Sequence, residues 1–116
     1  MITLYGIPNC GSVKKARDWL ERQGIAYDSQ DFKKAGIDEH TIAGWMKQVS
    51  WEVLVNKKGT TWRGLSDETK DAVTSAATAT QLMIDNPSVI KRPVLRKGKS
   101  ILVGFDANNY EEQLTR

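Results

Sequence analysis

Residues 1–32 constrain the fold of this chain more than any other stretch. Ile2-Thr3-Leu4-Tyr5 is rich in β-branched and aromatic residues and is closed by Gly6, the pattern of a short strand. The breaker segment Ile7-Pro8-Asn9 and the small residues Cys10-Gly11-Ser12 come next. Val13, Ala16, Trp19 and Leu20 then recur at three- and four-residue intervals, which predicts a helix over about 11–23. Gly24 suits the left-handed position that ends such a helix. Ile25-Ala26-Tyr27-Asp28 opens a second strand that continues to Phe32. Two strands joined by a helix form a βαβ unit, whose strands run parallel with a right-handed crossover. The rest of the chain must extend a sheet that begins this way.

Residues 33–36 read as a loop, and Asp38 is a good N-cap for a helix through Ile42, Trp45, Met46 and Val49. The pattern stays helical over about 38–86. Ser50 caps a short turn over Trp51, Val53 and Leu54, and Asn56-Lys57-Lys58-Gly59-Thr60-Thr61 is a polar connection with turn chemistry. Ser66 with Asp67 and Glu68 starts a further helix, and residues 76–83 form another before Asn86-Pro87. The last part reads as a hairpin: Pro93-Val94-Leu95-Arg96, the turn Lys97-Gly98-Lys99, and Ser100-Ile101-Leu102-Val103. Asp106 caps a final helix through Tyr110 and Leu114. The order β-α-β, helical insertion at about 38–86, β-β-α predicts an α/β fold with a four-stranded mixed sheet and helices packed on it. At 116 residues, without repeats, low-complexity tracts or linkers, the chain 1–116 is expected to form a single domain.

Hydrophobic residues make up 40% and charged residues 27%, an ordinary balance for a globular protein. There is no apolar run of membrane length and nothing like a signal peptide, so a cytoplasmic protein with no membrane partner is expected. One cysteine cannot form an internal disulfide, and in a reducing compartment its thiol stays available. With one His and one Cys, the nitrogen and sulfur ligands are too few for a structural zinc, and no bound cofactor or metal is expected. The net charge of +3 raises the question of nucleic acid. However, the basic group Lys91, Arg92, Arg96, Lys97 and Lys99 is broken by Pro93 and Val94-Leu95, with no RNA-binding or zinc-finger signature. A mild positive excess fits an anionic small molecule at least as well.

Cys10 is the chemical focus. It falls at or just before the first helical turn, where unpaired N–H groups and the positive end of the helix dipole favour the thiolate. Lys14, one turn on, adds positive charge; Asn9 and Ser12 are local hydrogen-bond partners for a thiolate or caps for the helix. A lone cysteine is more commonly a small buried hydrophobe. The strand-turn-helix setting, with small residues after the thiol, points to a reactive one. His40 lies in a polar helix start and nothing pairs it with Cys10, so a Cys-His protease is not indicated. Trp19 is assigned to the core and Trp45 and Trp51 to anchoring the helical insertion; Trp62 is assigned to packing, with a cleft-lining role as the alternative.

Five stretches carry a resemblance over nearly the whole chain: Leu4-Tyr5-Gly6-Ile7-Pro8-Asn9-Cys10, Lys14-Lys15-Ala16-Arg17, Gly59-Thr60-Thr61-Trp62-Arg63-Gly64-Leu65, Ile90-Lys91-Arg92-Pro93-Val94 and Val103-Gly104-Phe105-Asp106. In them the chain resembles the arsenate reductase (ArsC)/Spx family, in particular its small bacterial YffB-like members, and hence the thioredoxin-like fold. The resemblance implies that Cys10 is the nucleophilic cysteine. It implies that Arg92 is the arginine that helps hold an oxyanion near the thiol in arsenate reductases. Pro93 matches a proline that is cis and stands beside the active cysteine; X-Pro bonds are the common site of cis peptides. A cis bond there implies a backbone edge turned toward Cys10, able to pair with an extended thiol peptide.

The sequence departs from the family pattern in three places. Arsenate reductases of this fold set three arginines around the cysteine, but the residue before Gly59 is Lys58, which keeps the charge without the planar donor fork. No third arginine follows the last strand, in Gly104-Phe105-Asp106-Ala107-Asn108-Asn109, and Asp106 would repel an anion. Where Spx-type regulators often carry Cys-x-x-Cys, the second position is Val13.

The implied chemistry is that of a thiol-dependent reductase with one nucleophilic cysteine. Cys10 attacks a disulfide or another electrophile, and an external thiol resolves the adduct, with glutathione as co-substrate. Another small thiol or a thiol-containing protein would serve the same chemistry. Lys14, Lys58, Arg63 and Arg92 are the candidate cations for the carboxylates of glutathione. Against them stand simpler readings: Arg63 paired with Asp67 or Glu68, Lys14 merely solvated, Arg92 fixing a surface edge. Two other functions stay open: a non-catalytic Spx-like regulator that binds RNA polymerase, and a true arsenate reductase.

Overall fold

In a computed structural model that describes residues 2–7 and 11–114, the chain divides into two compact units. One joins Met1–Asp31 to Arg92–Arg116; the other is Phe32–Lys91. The first unit holds the sheet, with strands β1 (Ile2–Gly6), β2 (Asp28–Asp31), β3 (Val94–Lys97) and β4 (Ser100–Val103) in the order β2-β1-β3-β4. β1 pairs in parallel with β2, from Thr3↔Asp28 to Gly6↔Asp31, and antiparallel with β3, from Ile2↔Lys97 to Tyr5↔Val94. β3 returns antiparallel into β4. This is the mixed four-stranded α/β sheet that the element order predicts.

Alternation along the strands sends Ile2, Leu4 and Leu95 to one face, where they meet Val13, Ala16 and Leu20 of helix α1 (Gly11–Arg22) and Tyr110 of helix α8 (Ala107–Leu114). Tyr110 sits edge-on between Trp19 and Phe105, with ring centroids 5.6 and 4.9 Å away. Trp19 is therefore a core-side residue, as its place on the apolar helix face indicates. α1 ends as expected at Gly24, whose φ is +69°. The Ile25 N–H reaches Leu20 O and the Gly24 N–H reaches Glu21 O, the paired bonds of a Schellman cap.

One strand differs from its expected extent. β2 is Asp28–Asp31 and does not begin at Ile25. Ile25 and Tyr27 pack on the cluster beneath α1 and the sheet while outside any strand, so their apolar character serves a loop. Phe32, expected as the end of the second strand, is buried but opens helix α2 (Phe32–Ala35), whose other residues were read as a loop from the sequence.

The Phe32–Lys91 unit is built of short helices: α2, α3 (Glu39–Met46), α4 (Trp51–Leu54), α5 (Thr60–Arg63), α6 (Asp67–Ala72) and α7 (Ala76–Asp85), then a 3-10 turn at Pro87–Val89. The helical stretch expected at 38–86 lies inside it. Asp38, Ser50, Ser66 and Ser75 each accept a hydrogen bond from a backbone N–H in the first turn of the helix that follows. Ser75 and Thr78 complete a reciprocal capping box. α5 is a departure, a single turn inside the segment read as a polar connection. Ile42, Trp45, Leu54, Ala79, Met83 and Ile90 are buried, so Trp45 does anchor this unit. No helix among the described residues is long and apolar enough to cross a membrane.

Candidate functional site

Cys10 and Asn9 lie outside the described residues, and the site is built from what flanks them. Ile7 follows β1 directly and Gly11 is the first residue of α1. These two anchor points are fixed by a close approach within the sheet unit. A Cβ placed on Gly6 would lie 2.7 Å from Val13 Cγ2 and 3.0 Å from Val13 Cγ1. Only glycine lets the end of β1 touch the first turn of α1 this closely. Val13 is buried there, so the position where a second cysteine would stand belongs to packing.

The first turn of α1 contains no acidic residue. Its polar side chains, Ser12 and Lys14, are exposed. Farther along the helix, Arg17 Nε donates to Tyr27 Oη at 3.3 Å, and Tyr27 Oη donates to Glu21 at 3.4 Å. The hydrogen bond to Tyr27 raises the Arg17 pKa above its ordinary value.

Arg92 and Pro93 come to the same end of this sheet. Val94 pairs with Tyr5, so the two residues before Val94 stand beside Gly6 and the chain that leaves β1. The Arg92–Pro93 peptide is cis, as the resemblance implies. Pro93 is buried and Arg92 half-buried. Gly104, with φ +80°, donates its N–H to Pro93 O at 2.8 Å, which ties the exit of β4 to this edge. The segment that lacks a third arginine begins here. Its acidic residue, Asp106, accepts from the Asn109 N–H at 3.1 Å and starts α8.

Thus Ser12, Lys14, Arg92 and Pro93 share one end of the sheet unit with the residues that flank Cys10. Lys58 and Arg63 belong to the helical unit. Both are exposed, Lys58 in the turn after Asn56 and Arg63 at the end of α5. Asn56 Oδ1 accepts the Lys58 N–H at 3.2 Å, and Lys70 Nζ donates to Arg63 O at 3.4 Å.

The sequence reading missed Lys57. Its ammonium lies 5.7 Å from the ring centroid of Trp51 and 5.4 Å from that of Trp62. The available signal was a lysine pair in a turn flanked by two tryptophans. Among the described residues, no group of three or more His, Cys, Asp or Glu is placed to hold a metal ion.

Comparison with known proteins places this arrangement. A sequence profile described as the ArsC family matches residues 5–113. Among solved structures, the chain is similar to a YFFB protein, at 42% identity and a TM-score of 0.93, covering 98% of this chain and 99% of that one. It is also similar to an arsenate reductase (ArsC) related protein from Brucella melitensis, at 46% identity and a TM-score of 0.76, covering 96% and 92%. Among curated relatives, the global transcriptional regulator Spx of Streptococcus agalactiae is 24% identical, over 100% of this chain and 85% of that one.

Proposed function

The chain belongs to the ArsC family, and we propose that it is a glutathione-dependent thiol reductase acting through Cys10 alone. The observation that carries this reading is the register of β1 on β3. Tyr5↔Val94 brings the chain running into Cys10 and the Arg92-Pro93 edge to one end of one sheet. A thiolate at the start of α1 would meet the backbone N–H groups of the first turn, and that turn carries no carboxylate to oppose it. Arg92 and Lys14 supply positive charge from this end of the sheet unit.

The reaction runs in two displacements. The Cys10 thiolate attacks the glutathione sulfur of a mixed disulfide, forming a Cys10–glutathione disulfide and releasing the other thiol as thiolate, which takes a proton. The thiolate of a second glutathione then attacks the glutathione sulfur on Cys10. Glutathione disulfide leaves, and the Cys10 thiolate is regenerated. One mixed disulfide is reduced and one glutathione disulfide is formed per cycle. The second thiol must come from outside, because the chain has no other cysteine and Val13 is a packing residue.

Intact-mass measurement after exposure to oxidised glutathione tests the first step. One glutathione adduct is expected on the wild-type chain and none on Cys10→Ser. Turnover of the mixed disulfide of glutathione and cysteine, followed by glutathione disulfide release, tests the cycle. A wild-type chain that forms no adduct sinks the proposal.

A second reading is supported by the full-length match to Spx. In it the chain binds RNA polymerase and carries out no thiol chemistry. Capture of the chain by purified polymerase, with equal capture of Cys10→Ser and no adduct, would favour this reading. Arsenate reduction is a third, weakened by Lys58 in place of arginine and by Asp106 in the segment after β4. A direct arsenate assay decides it.

A further inference from the structure

Helices α6 and α7 of the helical unit are joined by residues 73–75, and an open groove of about 390 Å³ lies between them. That volume falls in the range of small-molecule sites, roughly 300–1,000 Å³. Its base is apolar. Val73 and Leu82 are buried there, and Ala72 lines the groove beside them. Two carboxylates, Glu68 and Asp85, line it with the amide of Asn86, and among the described residues no lysine, arginine or histidine does. This local sign opposes the net charge of +3 on the whole chain.

The polar groups of the lining divide into those already engaged and those left open. Thr78 Oγ1 donates to Ser75 O and accepts the Thr74 and Ser75 N–H groups, and Thr69 Oγ1 accepts from Ser66 Oγ. Gln81 Nε2 donates to Asp85 Oδ1 at 3.0 Å, which holds that carboxylate and leaves its second oxygen. Among the described residues, neither the Glu68 carboxylate nor the Asn86 side chain has a hydrogen-bond or ion-pair partner. Lys70, the one base in the sequences of the two helices, donates to Arg63 O instead, at 3.4 Å. Asp85 is also the last residue of α7, a ten-residue helix with no base in its last turn. A carboxylate there stands at the negative end of the helix dipole, where a cation is favoured.

The open acceptors share one end of the groove. Glu68 is second in α6, Asp85 closes α7 and Asn86 caps it, so each lies at the end of its helix remote from the 73–75 connection. Ala72 and Val73 adjoin that connection. We propose that the groove binds a small organic amine. Its primary ammonium, with three donors, is received by Glu68, Asp85 and Asn86, and its apolar body lies on Ala72, Val73 and Leu82 toward the connection. A carboxylate on the same molecule would be repelled by Glu68 and Asp85, so the ligand class is amines without an acid group and not amino acids. The site stands apart from the thiol chemistry of Cys10 and does not depend on it.

The test is titration of the full chain with phenethylamine, followed by the methyl NMR signals of Ala72, Val73 and Leu82. Saturable shifts of these methyls are expected. Phenethyl alcohol, with the same apolar body and no charge, should bind about ten-fold more weakly. Phenylalanine, which adds the carboxylate, should give no saturable shift. Glu68→Gln and Asp85→Asn keep an acceptor oxygen at exposed positions, and each should weaken amine binding about two- to five-fold. Added salt should weaken the amine and leave the alcohol unchanged. Ala72→Leu, also at an exposed position, should fill the base of the groove and block both.

No saturable shift with phenethylamine, or shifts confined to residues elsewhere, would overturn the site. Equal binding of amine and alcohol, or equal amine affinity in wild type and in Glu68→Gln with Asp85→Asn, would leave an apolar groove without a cation end, and the proposal falls. If an oligolysine peptide moves the same methyls and phenethylamine does not, the occupant is a basic protein segment and the small-amine proposal falls. Cys10→Ser should bind phenethylamine as wild type does, so failure of the reductase reading and failure of this site are read separately.

Discussion

The helical unit and α1 of the sheet unit differ in the charge of their first helical turns. In the helical unit, α3, α4, α6 and α7 start on Asp38, Ser50, Ser66 and Ser75, and carboxylates fill the first turns of α3, α4 and α6. These helices have four to ten residues, too short to hold themselves in water, and each cap satisfies a backbone donor the helix leaves open. α1 has twelve residues and lays Val13, Ala16 and Leu20 on the sheet, so burial stabilises it. Its first turn, from Gly11 on, carries no carboxylate. The contrast is between first turns that carry carboxylates and one, from Gly11 on, that carries none.

The largest expected effect comes from breaking the contact that fixes α1 to the sheet. Gly6→Ala puts a methyl 2.7 Å from Val13 Cγ2, a branched side chain in a buried position that has no easy retreat. A loss of about 1–3 kcal/mol is expected, read from urea unfolding. Gly6→Ala with Val13→Ala should recover part of that loss, since the second substitution removes the clashing methyls. If Gly6→Ala is neutral, β1 and α1 are not held by close approach, and the geometry assigned to the flanks of Cys10 fails.

The sheet unit was legible in the sequence because its signals are local and repeated. β-Branched and aromatic residues closed by Gly6 mark β1, the turn Lys97-Gly98-Lys99 marks the hairpin, the 3.6-residue period marks α1, and Gly24 and Asp106 punctuate helix ends where expected. The pairing of Tyr5 with Val94, which brings Arg92-Pro93 to the end of β1, was not specified by the sequence reading, which had that proximity only from the resemblance. The misses were single turns and loops. α2 and α5 have four residues each, too few to display a period, and packing rather than pattern decides them. Ile25 and Tyr27 looked like strand residues because burial on a cluster needs the same side chains as a strand does. The seat of Lys57 on Trp51 and Trp62 was hidden for a related reason. Neither tryptophan is three or four residues from Lys57 on a common helix, so no sequence spacing announces the contact.

The comparison can be sharpened with pH, because the two units carry groups shifted in opposite directions. Burial raises the Tyr110 phenol above its ordinary value of 10.0. The unfolded tyrosine therefore releases its proton first. Stability should be intact below pH 10 and decline as pH rises from there toward the folded value, with a slope of up to about 1.4 kcal/mol per pH unit. Tyr110→Phe should flatten that alkaline limb, at a small constant cost for losing the 3.4 Å bond to Gly104 O. In the helical unit, the backbone N–H of Thr41 bonded to Asp38 lowers that carboxyl below its ordinary 3.8. Its contribution is present above pH 3.8 and is lost as pH falls through the folded value. Asp38→Asn keeps a capping oxygen without the titration, and should weaken the acid limb alone. A Tyr110→Phe chain that still loses stability above pH 10 as wild type does would remove this difference between the units.

The smallest effect bears most directly on function. Ser12→Asp gives the first turn of α1 the carboxylate that its counterparts in the helical unit already have. By the logic of those helices the substitution is neutral or mildly stabilising, since a negative charge near a helix N-terminus contributes about 0.3–1 kcal/mol. For a thiolate competing for the same positive end, the same energy works in reverse. The midpoint of the alkylation rate–pH profile should rise, and glutathione adduct formation at neutral pH should slow by about two- to five-fold relative to Ser12→Asn. Added salt should narrow the gap, because the first turn is exposed and its charges are screened. Equal profiles for the aspartate and asparagine variants would mean that the missing carboxylate in α1 has no bearing on the thiol.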